Sequence, residues 1–133
     1  MKAMRKKHLR GGFTLVELMV VASIIALLAA VTVPGFLRAR KRSQATRVLE
    51  DLRLIAAAVD QYAIENNKSG TSHPTFSDLQ PYLKSKTSLY NTGRNILGHR
   101  YRSFTVDQYP RVPSRTLLAL SDVVDSSFWS PFQ

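Results

Sequence analysis

From Phe13 to about Val33 the chain is apolar with one charged exception, Glu17. A run of about 20 apolar residues is long enough for a helix to cross a bilayer. Such a helix satisfies its own backbone hydrogen bonds, which the hydrocarbon cannot do for it. Basic residues flank the run on both sides. Lys2, Arg5, Lys6, Lys7 and Arg10 precede it, and Arg38, Arg40, Lys41 and Arg42 follow it. Five cations against four leave the direction of insertion almost undecided by charge bias. A lone carboxylate inside a membrane-length segment is costly, which marks Glu17 as a functional position.

The flanks also account for most of the formal charge of +10. Residues 1–42 carry nine Lys/Arg against Glu17, a net of +8, whereas residues 43–133 carry ten Lys/Arg and eight Asp/Glu, a net of +2. Basicity gathered beside an apolar run suits membrane headgroups. It argues against a nucleic-acid partner, which calls for cations on the soluble surface. The chain has no cysteine, so disulfides, thiolate chemistry and cysteine metal sites are excluded. Of the 133 residues, roughly 90 lie beyond the apolar run, enough for one small domain with a modest core.

Three readings compete for residues 1–37. A secretory signal has an apolar stretch of about 7–15 residues and a small-residue cleavage site; Ala29-Ala30 offers such a site, but this run is longer. A plain single-span anchor explains the length and the basic flanks, but neither Glu17 nor the paired Gly11-Gly12. The third reading comes from a resemblance. Gly12-Phe13-Thr14-Leu15-Val16-Glu17-Leu18 resembles the N-terminal signature of type IV pilins and type II secretion pseudopilins. Pro34 is similar to a proline that the family often carries near the end of its apolar core. The resemblance covers about residues 5–66 and is most specific over 11–18.

The resemblance implies cleavage between Gly12 and Phe13 by a prepilin peptidase, N-methylation of the new terminus at Phe13, and retention of the apolar helix. The mature protein is then a structural subunit of a type II secretion pseudopilus or a type IV pilus. It is a substrate of the peptidase and N-methyltransferase and not an enzyme. Its implied partners are the peptidase, other pilin or pseudopilin subunits, an inner-membrane assembly platform and the bilayer. Its implied location is the inner (cytoplasmic) membrane, single pass, with the leader cytoplasmic and the head periplasmic or extracellular, followed by the filament. The lack of cysteine leans toward a secretion pseudopilin, because many adhesive pilins close a C-terminal loop with a disulfide.

Cleavage would free an amine on Phe13, and the resemblance implies that Glu17 of one subunit meets the Phe13 amine of the next. Two unit charges 4 Å apart gain about 4 kcal/mol at an effective dielectric near 20. A charge at the bilayer centre costs roughly 2.5–3.5 kcal/mol on insertion scales. The two are comparable, so pairing offsets burial and an unpaired subunit is penalised. This makes Glu17 a device for register and assembly. The competing expectation is a carboxylate that snorkels to the interface.

Past Pro34-Gly35 the pattern becomes amphipathic. Ala45, Leu49, Leu52, Ile55 or Ala56, Val59 and Ala63 recur at spacings of three and four. Asn66-Asn67-Lys68-Ser69-Gly70 is a stop signal. One continuous helix from Phe13 to Asn66 would be about 80 Å long. Pro34 removes one of its hydrogen bonds and Gly35 softens the same turn, a candidate hinge. A tolerated membrane-helix proline is the alternative.

The head is expected to hold a short helical piece around Leu79–Lys84 behind a Ser77–Gln80 capping box. A loop over Ser85–Gly98 follows, then a strand over Gly98–Val106 and a short helix capped by Ser114. Phe128-Trp129-Ser130-Pro131-Phe132 either packs on the head's own core or meets a neighbour. The expected fold class is α+β: a basic leader (1–12), a membrane-spanning helix (13–36), an amphipathic stalk (37–67), and a small head (68–133) with a short antiparallel sheet and short helices.

No catalytic constellation, phosphate-binding glycine loop or nucleophile elbow is present. His73 and His99 stand apart from other ligand types. Some major pseudopilins bind calcium through a C-terminal acidic loop, and the resemblance makes Asp122 and Asp125 the counterpart here; two carboxylates are few for a cation that takes six to eight oxygens, so no cofactor is expected, with calcium as the alternative, and no metal ligands are assigned. One further alternative is a DNA-uptake pilin. In it, Arg94, Arg100, Arg102, Arg111 and Arg115, interleaved with Tyr101, Phe104 and Tyr109, form a stacking and phosphate surface.

Overall fold

The structure, a computed structural model, describes residues 11–133. The leader cations Lys2, Arg5, Lys6, Lys7 and Arg10, with His8, lie outside the described residues. One helix, α1 (Leu15–Glu65, 51 residues), is followed by α2 (Phe76–Leu79), α3 (Ser88–Thr92) and α4 (Ser114–Leu120). Gln80–Tyr82 and Ser126–Trp129 form 3-10 turns. The chain divides into two compact units, the first ending at Phe36 and the second running from Leu37 to Gln133.

In the first unit every described residue is exposed, including Phe13, Leu15, Leu27, Leu28 and Val31. This half of α1 is long and apolar enough to cross a membrane, and none of its span is buried. Its two internal hydroxyls are self-satisfied. Ser23 Oγ donates to the Met19 carbonyl at 2.8 Å and Thr32 Oγ1 to that of Leu28 at 3.0 Å. Back-bonding of this kind keeps a hydroxyl from needing an outside partner.

The second unit wraps the head around the other half of α1. Ala45, Val48, Leu52, Ile55, Ala58 and Val59 are its buried stripe. Val48 replaces the expected Leu49 at the centre, and Leu49, Ala56 and Ala63 pack beside it. Against this stripe lie Leu79, Leu89, Tyr101, Phe104, Val106, Leu120, Trp129 and Phe132, all buried. Burying a side chain such as Leu52 or Ile55 contributes about 1.5–3 kcal/mol each. The aromatic tail packs inward: Trp129 and Phe132 are buried, and the Phe132 carbonyl accepts from the Val112 N–H at 3.0 Å.

α1 stops at Glu65 through a Schellman-type close. Asn67 has a φ of 49°, the Lys68 N–H bonds the Ala63 carbonyl at 2.9 Å, and the Asn67 N–H that of Ile64 at 3.4 Å. Asparagine tolerates the left-handed conformation this motif needs.

The expected sheet is absent: among the described residues there is no strand, and the only pairing is an isolated antiparallel bridge between Arg94 and Arg100. The reason lies in the spacing of the anchors. Tyr101, Phe104 and Val106 are all buried, at intervals of three and two, which no flat strand can place on one face. Ser103 takes up the difference with a φ of 61°. The segment's N–H groups bond loops instead, Tyr101 to the Gly93 carbonyl and Val106 to that of Ser72. The α+β expectation is therefore corrected to helices and irregular chain over the described residues.

Other boundaries also move. The stretch Ser85–Gly98 is not all loop, because α3 forms there. Thr87 Oγ1 accepts from the Tyr90 N–H at 3.1 Å at its start, and Gly93 closes it with a φ of 61°. The box before α2 is Thr75 and Asp78, not Ser77 and Gln80. The Asp78 carboxylate accepts from the Thr75 N–H at 2.8 Å and its hydroxyl at 2.7 Å. In α4, Ser114 is the first helical residue and Pro113 holds the cap position.

Candidate functional site

The start of α1 is built from two residues. The first N–H groups of any helix lack intrahelical partners, and Thr14 and Glu17 supply them here. Glu17 Oε2 accepts from the Thr14 N–H at 2.9 Å and from Thr14 Oγ1 at 3.0 Å. Thr14 Oγ1 in return accepts from the Glu17 N–H at 3.2 Å. This is a reciprocal capping box. Its Thr-x-x-Glu spacing is legible in the sequence, yet reading Glu17 only as a charge passes over Thr14.

Both Thr14 donors fall on Oε2, and no bond to Oε1 is present among the described residues. A carboxylate has about four lone-pair sites, so Glu17 keeps acceptor capacity while it caps its own helix. Phe13, immediately before the cap, is 84% exposed. Gly11 and Gly12 precede the helix, and a Cβ built on either meets no atom within 4 Å. Nothing in the packing of the described residues therefore requires glycine at position 12.

Pro34 lies inside α1, and helix is maintained across Pro34-Gly35. A Cβ on Gly35 meets open space as well. The division between the two units falls after Phe36, next to this pair.

Other candidates are drawn into structural bonds. Asp122 accepts from Lys41 Nζ at 2.7 Å, and this exposed pair holds its carboxyl below the usual carboxylate range. Asp125 accepts from Ser127 Oγ at 3.1 Å. His73 Nδ1 lies 3.1 Å from Thr105 Oγ1 and His99 Nδ1 2.9 Å from Thr116 Oγ1. Among the described residues no three His, Cys, Asp or Glu are grouped to hold a metal ion.

Deeper in the second unit, Tyr101 donates its hydroxyl to Asp51 Oδ2 at 3.1 Å. Burial pushes the phenol well above its ordinary range, and the neighbouring Asp51 charge adds to the shift. Burial likewise raises the Asp51 carboxyl, although the Tyr101 bond opposes it. Near the end of α1, Tyr82 donates to Glu65 Oε2 at 2.7 Å and pulls that carboxyl down.

A prokaryotic N-terminal methylation motif matches residues 7–33. The chain is 48% identical over 56 residues to the type IV wide pilus major component of Thermus thermophilus, covering 42% of this chain and 43% of that one. It is 36% identical over 64 residues to a type IV major fimbrial protein of Dichelobacter nodosus, covering 48% and 41%. In both, the match spans less than half of the relative's length. The type II secretion system core protein G of Aeromonas hydrophila is 31% identical over 116 residues, covering 80% of this chain and 81% of that one. No solved structure matches. A similarity that covers four-fifths of both this chain and core protein G, together with the methylation motif, shows that the chain belongs to the type IV pilin and type II secretion pseudopilin family.

Proposed function

We propose that the chain is a prepilin-like subunit, cut between Gly12 and Phe13, N-methylated at Phe13, and assembled through its apolar helix into a secretion pseudopilus or a type IV pilus. The observation that carries this reading is the coincidence of three features at one place. The methylation motif spans the Gly12-Phe13 junction, the exposed apolar half of α1 begins just after it, and Glu17 stands in its first turn.

The absence of any described residue's atom within 4 Å of a Cβ at Gly12 supports a role in the peptidase's approach, since glycine lets a backbone be reached closely. Retained after cleavage, the exposed helix would lie first in the inner membrane, with the head outside, and then against the helices of other subunits. Small residues such as Ala22, Ala26 and Ala30 allow close approach. The spare Glu17 Oε1 supports pairing with the Phe13 amine of a neighbour without loss of the cap. Pro34-Gly35 serves as the point where the stalk adapts on leaving the bilayer. The partners are a prepilin peptidase, an N-methyltransferase, further subunits and an inner-membrane assembly platform.

Mass spectrometry of the protein from its native host tests the reading. The expected species starts at N-methyl-Phe13. An N-terminus still at Met1, with no polymer in the sheared fraction, overturns it.

A further inference from the structure

Arg38, Arg40, Lys41 and Arg42 stand on α1 just past the apolar run, and no Asp or Glu occurs between Glu17 and Glu50. Five residues of helix rise about 7.5 Å, comparable with the headgroup layer on one side of a bilayer, about 5–8 Å. Arg38 and Arg42 are four apart and share a face of the helix, while Arg40 lies round the axis from both. All three arginines are exposed. None forms an ion pair among the described residues, where the sole salt bridge is Lys41–Asp122.

The chain has already placed an anion of its own on this collar. Asp122, 81 residues further along, accepts from Lys41 Nζ at 2.7 Å. Arg38 adds to the field that holds its carboxyl down. Beside it, the Val123 carbonyl accepts from Arg42 Nε at 3.4 Å. Two adjacent residues thus present oxygens to Lys41 and Arg42, as a phosphate ester presents its own. The Lys41 and Asp122 side chains remain 43% and 54% exposed. An ion pair so open to solvent contributes little stability, so another oxyanion can take the place of Asp122. One carboxylate against four cations also leaves the group at a net of +3.

We propose that residues 38–42 seat the phosphate of an anionic phospholipid, and that Asp122 competes with that phosphate for Lys41. The inference rests on the membrane part of the reading above. Lipid is favoured over free phosphate because the cations follow directly on an apolar run that is exposed and long enough to span a bilayer. Wherever that run lies in a membrane, phosphate esters are at hand, and an anionic leaflet attracts each such cation. Guanidinium groups match phosphate oxygens in a two-pronged geometry. While the chain is anchored, lipid holds Lys41. When it leaves the bilayer, Asp122 takes Lys41 back, so the cation keeps a counter-ion throughout. Asp122 thereby loosens the hold of lipid on the subunit and eases its release.

Native mass spectrometry of the full chain released from phosphatidylcholine nanodiscs doped with phosphatidylglycerol tests it, by the ratio of the two lipids that stay bound. The leader's cations add a background common to every variant, so the differences are read. Asp122→Asn frees Lys41 and should raise the phosphatidylglycerol ratio about fivefold, the worth of one cation near an anionic surface. Asp125→Asn makes the same charge change at a carboxylate bonded to Ser127 Oγ and should leave the ratio unchanged. Arg38→Gln with Arg40→Gln should lower it about tenfold. The circular dichroism melt should be unchanged in all three. Inorganic phosphate should not displace the lipid. A ratio that neither Asp122→Asn nor the arginine pair alters overturns the proposal, as does an equal rise from Asp125→Asn. Displacement by inorganic phosphate overturns it in favour of a free-anion site. Discs that take up no chain overturn the membrane reading with it, whereas uptake with an unresponsive ratio overturns the proposal alone.

Discussion

Thr14 and Glu17 hold each other at the first turn of α1, the Thr14 N–H and hydroxyl both donating to one carboxylate oxygen and the Glu17 N–H returning to the Thr14 hydroxyl. Glu17 thereby has a local duty in addition to any intermolecular one, and the two are separable. In hydrocarbon no water can replace a lost cap.

Substitutions divide these duties. Glu17→Gln keeps an oxygen to accept from Thr14 but has no charge for a neighbour's amine. Thr14→Val keeps the charge and removes the hydroxyl, at a cost of about 0.5–2 kcal/mol to the helix start. Under the assembly reading, Glu17→Gln and Glu17→Ala are both cleaved normally and both fail to enter filaments. Thr14→Val still assembles at reduced yield. Immunoblots of sheared and cell-bound fractions measure each.

Asp51 and Tyr101 predict a pH signature. Burial raises the Asp51 carboxyl, so the folded state holds that proton more tightly than the unfolded chain does. The contribution is present in full below the ordinary carboxyl pKa, about 3.9, and is lost as pH rises through the raised folded value. Asp51→Asn keeps an acceptor for the phenol and removes the buried charge. Its melting temperature should exceed the parent's at pH 7 and converge on it near about pH 3.5. Tyr101→Phe should lower the melting temperature, more at pH 7 than near pH 4. Near-ultraviolet circular dichroism melts in neutral detergent read both.

Gly93 closes α3 with a φ of 61°, and a Cβ there would lie 3.3 Å from the Phe76 ring. Gly93→Ala meets both backbone strain and contact, so a loss of about 1–3 kcal/mol is expected. Gly35→Ala has neither obstacle and should leave the head's melt unchanged.

Asn95 Nδ2 donates to Thr116 Oγ1 at 2.7 Å, and both residues are buried. Thr116→Val leaves Asn95 Nδ2 buried without its acceptor, costing about 1–3 kcal/mol. Thr116→Ser retains the hydroxyl and should restore most of that loss, as denaturant titration would show.

What could be read from residue order alone follows physical range. The apolar run, the Gly12-Phe13 junction and the lone Glu17 are local, and so is the stop at Asn66-Asn67. The stalk's apolar face was also legible, but its phase was not. Val48 and Leu49 are adjacent and both apolar, and only the head packed against α1 selects Val48. The mistaken strand over Gly98–Val106 has the same origin: β-favouring residues were pulled onto α1 at intervals that a strand cannot supply. α3 was readable from Thr87 and Gly93, and was obscured by the polar residues between and before them. The buried Asn95–Thr116 bond was not readable, because it joins positions 21 residues apart.

The head carries only a single bridge between Arg94 and Arg100 among its described residues. A neighbouring chain therefore finds no open row of amides and carbonyls to zip onto, the usual route by which edges adhere without regard to sequence. Lateral recognition must be written in side chains, so crowded subunits can stay apart until the correct faces meet.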